Sequence, residues 1–81
     1  MHLQSYDVSD CDPERCAALT KRIVPLLAGQ HPAEVGAVLA ELLATWLAGH
    51  EPGMREPILK IHVELVEKFV PMIAPDLWKM N

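Results

Sequence analysis

The sequence predicts an all-α domain: a small antiparallel three-helix bundle with an extra C-terminal segment, assembled as a dimer. Three observations lead there. Apolar residues recur at helical spacing in three separate stretches, each with a proline in or near its first turn. The connectors between them are short and carry helix breakers, so consecutive helices should lie side by side. The middle stretch is apolar on nearly every side, and a chain of 81 residues with 51% apolar side chains has little else with which to cover it. The expected division is a leader over 1–11, helices over 12–28, 32–48 and 54–73, and a tail over 74–81.

The leader has no helical periodicity. Asp7, Asp10, Asp12 and Glu14 are spaced like a fragment of a calcium loop. The glycine and the final carboxylate that such a loop requires are missing in either register, so the acidic residues read as a solvated lead-in to a helix N-terminus. Asp12 is the expected N-cap and Pro13 the first helical residue. Cys16, Leu19, Ile23, Leu26 and Leu27 then fall on one arc, and Glu14, Arg15, Lys21 and Arg22 fall opposite. Cys16 is therefore expected to be a small buried hydrophobe. Pro25 either kinks the last turn or stops the helix near Val24, and Gly29 ends it.

The middle helix, PAEVGAVLAELLATWLA, runs from Pro32 to a stop at Gly49. Its only charges, Glu34 and Glu41, share one narrow stripe. Val35, Val38, Leu39, Leu42, Leu43 and Trp46 form a bulky arc. Gly36, Ala40 and Ala44 form a flat one, on which another helix backbone could approach closely. The interface is expected on Gly36, Ala40, Leu43, Ala44 and Leu47. His31 and Glu34 could be half of a metal site, but no second ligand pair stands at a useful spacing, so no metal is expected.

The third helix is expected to start near Met54 and to weaken at Pro71 and Pro75. Glu56, Lys60, Glu64, Glu67 and Lys68 share its solvated face. Ile58, Leu59, Leu65, Val66, Phe69, Val70 and Ile73 lie opposite, with His62 near the middle of their arc. The tail carries Leu77 and Trp78, and Trp78 is expected to be more than half buried, on its own bundle or in the interface.

Composition narrows the function classes. A formal charge of −4 and the absence of any basic run argue against nucleic acid and against anionic membranes. No apolar run reaches the length needed to span a bilayer. The N-terminus does not read as a signal peptide, so a cytoplasmic setting of bacterial type, with reduced thiols, is expected. No nucleophile elbow, phosphate loop or metal cluster occurs, so no catalytic residue and no cofactor is assigned. The expected function is a non-catalytic interaction or oligomerisation module whose partner is a second copy or another helix. The alternative is a small ligand-binding or enzymatic domain, with His62, Trp46 and Phe69 around an apolar pocket.

Overall fold

The computed structural model describes residues 10–78, and of Trp78 it describes the backbone alone. The described residues are helical or in short turns, with no strand among them. Three helices follow in order: α1 (Pro13–Leu27), α2 (Pro32–Ala48) and α3 (Pro52–Trp78). The chain divides into two compact units, one holding α1 and α2 and the other holding α3 with His50.

Local chemistry sets both ends of α1. The Asp12 carboxylate accepts the Glu14 backbone N–H at 3.0 Å, and Pro13 follows at the first helical position, where a missing N–H costs nothing. Arg15 stands 3.7 Å from the same carboxylate as an exposed pair, which contributes little. Pro25 does not stop the helix, which continues to Leu27. The proline removes one ladder bond, to the Lys21 carbonyl, and the helix then ends at Ala28, whose N–H donates to the Val24 carbonyl at 3.1 Å. Gly29 supplies the left-handed conformation that closes the turn, with φ of +81°.

The start of α2 uses a less common cap. His31 accepts the Ala33 N–H on Nδ1 at 3.1 Å, ahead of Pro32. That contact commits Nδ1 of His31 to the helix end. At the other end, Gly49 keeps an ordinary right-handed conformation.

The third helix is longer than its sequence suggests. It starts at Pro52 rather than near Met54, because proline fits a first helical position. It continues through Pro57, Pro71 and Pro75 to Trp78, so the last two prolines do not end it. Each proline deletes one i to i−4 bond, which leaves the carbonyls of Gly53, Glu67 and Pro71 without that partner. Pro71 and Pro75 are four residues apart, so the deleted bonds stack on one side while the ladder on the other side runs on. The expected tail thus joins the helix as far as Trp78. The side chain of Trp78, whose burial was expected, and residues 79–81 lie outside what is described.

Burial departs furthest from expectation. Among the described residues only Ile58 (1% exposed) and His50 (5% exposed) are buried. Leu27, Val35, Trp46, Leu47, His62 and Leu65 are partly covered. The arc of α1 read as core is mostly open: Leu19, Ile23 and Leu26 are exposed, Leu26 to 74%. Cys16 is exposed as well, which corrects its assignment as a buried hydrophobe. The middle helix, apolar nearly all round, is covered only near Val35, Trp46 and Leu47. Its own unit supplies a single helical neighbour, and one neighbour can cover only one strip of a helix.

Candidate functional site

The residues expected to form an interface lie on the open side of α2. Gly36, Ala40 and Ala44 are exposed, Leu43 is exposed beside them, and Leu47 is half covered. A Cβ built on Gly36 would meet nothing within 4 Å. Val38, Leu39 and Leu42, on the bulky arc of the same helix, are exposed as well, Leu42 to 57%. Polar atoms are few on these arcs: the Thr45 hydroxyl, beside the bulky one, donates back to the Glu41 carbonyl at 2.8 Å. Such a surface offers no convergent polar groups to orient a small substrate. It offers area.

A half-open depression lies within the first unit, lined by Leu26, Leu27, Gln30, Glu34, Val35 and Val38. It sits where the α1 end, the connector and the first turns of α2 meet. Its polar edge is Gln30 and Glu34, and none of the candidate pocket residues takes part in it.

Of the three residues named for an apolar pocket, Trp46 belongs to the first unit and His62 and Phe69 to the second. Phe69 is 46% exposed, and His62 and Trp46 are partly covered. Nδ1 of His62 stands 2.9 Å from the Ile58 carbonyl, one turn back in the same helix. A neutral imidazole that donates there is held against its own backbone. The Ile58 carbonyl keeps its helical bond to the His62 N–H, so losing the imidazole does not orphan that carbonyl. Loss of this one local bond in His62→Leu is expected to change unfolding free energy by about 1 kcal/mol in a denaturant titration. A loss several times larger would show that the imidazole carries more than this local bond.

Sequence reasoning passed over two features. His50 reads as a connector residue among breakers, yet it is buried, and its carbonyl accepts from Nε of Arg55 at 3.1 Å. No local sequence pattern marks that burial. The other is how closely the sulfurs of Cys11 and Cys16, which the sequence reads as reduced thiols rather than a staple, approach each other. Sγ of Cys11 and Sγ of Cys16 lie 3.3 Å apart, and both thiols are free and exposed.

The Cys16 thiol is shifted above its ordinary value of 9.0. The largest cause is its hydrogen bond to Cys11, followed by partial desolvation and the charges of Cys11 and Asp12. A thiol whose folded value is raised favours the fold while it stays protonated. That contribution is present below the unfolded value and is lost as pH rises through the folded one. Cys11→Ala removes the largest cause. It is expected to move the pH profile of Cys16 alkylation by iodoacetamide to lower pH, and an unmoved profile would show that Cys11 does not hold the proton.

Among the described residues no cluster of three or more histidine, cysteine or acidic side chains could hold a metal ion. None of the described helices is long and apolar enough to cross a membrane. No family model matches the chain, and no curated protein or solved structure matches it either. The functional reading therefore rests on the chain's own surface.

Proposed function

We propose that this protein is a non-catalytic oligomerisation module whose partner is a second copy of itself, paired through the flat stripe of α2 and its bulky neighbours. One observation carries the reading. Eighteen large hydrophobic side chains of the described residues are exposed, whereas one, Ile58, is fully buried. Monomeric domains rarely leave large contiguous apolar areas open, and such areas mark sites of association. Gly36, Ala40 and Ala44 suit a helix-to-helix contact at short interaxial distance. A two-fold arrangement lets one stripe serve as both halves of the contact, and needs no partner of different chemistry. Antiparallel packing of the three helices, a cytoplasmic setting of bacterial type and reduced thiols complete the proposal. The negative charge and the lack of any basic run in the sequence support a protein partner over nucleic acid.

The testing experiment compares assembly at two concentrations. A dimer that completes its core on association melts at a temperature that rises with protein concentration. A melting temperature constant over a hundredfold dilution, at the mass of one chain, would contradict the proposal.

A further inference from the structure

We propose that Cys11 and Cys16 form a modification site, a dithiol that small-molecule disulfides such as oxidised glutathione convert to an intramolecular disulfide. The pairing follows from the helix start. With Asp12 as N-cap, Cys11 occupies the position before the cap, and Cys16 is the fourth residue of α1. These two positions meet in the hydrophobic staple that fixes how a chain enters a helix. Here both are cysteines, and the local geometry brings their sulfurs to 3.3 Å. A disulfide needs about 2.05 Å. The remaining approach requires side-chain rotation at two exposed residues, one of which precedes the helix.

The chemistry is thiol–disulfide exchange. The Cys11 thiolate attacks one sulfur of oxidised glutathione, forming a mixed disulfide and releasing one glutathione thiolate. Cys16 then gives up its proton to solvent and attacks the Cys11 sulfur, which releases the second glutathione. Two protein S–H bonds are lost and one S–S bond is gained, and the two electrons reduce glutathione disulfide to two thiols. Cys16, whose proton is held by its hydrogen bond to Cys11, is the later-acting of the two. The product closes a ring around Asp12, Pro13, Glu14 and Arg15. It fixes the N-cap and first turn of α1 covalently, so oxidation state is coupled to the order of the helix start.

Sequence proximity alone would also let these cysteines pair, so the experiment separates proximity from folded geometry. The full chain is equilibrated with reduced and oxidised glutathione, once in native buffer and once in concentrated urea. After acid quenching, products are counted by mass spectrometry. The expected native product is the single chain less two hydrogens, with a Cys11–Cys16 linked peptide after digestion. Its equilibrium constant is expected to be at least about tenfold larger in native buffer than in urea. By reciprocity, the oxidised chain then melts at a higher temperature than the reduced one. Cys11→Ser should leave one stable glutathione adduct on Cys16, with circular dichroism confirming an intact fold. Equal constants in the two solvents, adducts on both cysteines, or chains linked in pairs as the main product would each overturn the proposal.

Discussion

Ala40→Lys is expected to dissociate the assembly while leaving the helices of the single chain intact. Ala40 is exposed in the middle of the flat stripe, and the space around Gly36, one turn earlier, is open. In the single chain the new side chain would extend into solvent, and lysine is a good helix former, so the fold should lose no more than about 0.5 kcal/mol. In a two-fold interface the same change enters twice. It places two long like-charged side chains where two helix backbones would meet. A cost of about 2 kcal/mol per copy would weaken pairing by roughly a thousandfold. Light scattering at micromolar concentration should then report one chain mass, with an unchanged circular dichroism spectrum. Thr45→Lys, on the side of α2 that carries Glu41, should keep the wild-type mass. If Ala40→Lys also keeps it, the stripe is not where copies meet.

Ile58→Ala is expected to produce the largest loss of stability of any single truncation among the described side chains. Ile58 is the one fully buried large side chain there. Truncating a buried isoleucine costs about 2–5 kcal/mol, from lost transfer energy and from the cavity left behind. Domains of this size are stable by only about 5–15 kcal/mol in all. The melting temperature should fall by about 10–30 °C, since each kcal/mol shifts a domain of this length by several degrees. A fall of only a few degrees would mean that the site collapses without a cavity, and that the chain has no fixed core at Ile58.

The legible part of the fold is what short-range chemistry decides. Asp12 before Pro13 marks a helix start because a carboxylate there can reach the next backbone N–H groups. Gly29 marks a stop because only glycine takes a left-handed conformation without strain. The all-α class follows from the same rules together with the 3.6-residue period. Pro71 and Pro75 mislead because a proline deletes a single bond, and whether a helix survives that deletion depends on everything else that holds it. Burial was the least legible property. Ile58 and Leu19 look alike on a helical wheel, yet one is buried and the other open, because a wheel gives the face and not the neighbour. His50 was hidden for the same reason, since a connector next to a helix start can be covered by structure that no local pattern reveals. The cysteine pair was within reach of sequence reasoning, because the positions before the cap and at the fourth helical residue are known to meet.

On this proposal a second copy of the chain covers the apolar surface of α2. Sedimentation equilibrium on the full chain at micromolar concentration and physiological salt, with thiols kept reduced, tests it most directly. The expected mass is twice 9.0 kDa, falling toward one chain on dilution. A single species of 9.0 kDa across the whole range, with helices intact and melting cooperatively, would contradict it.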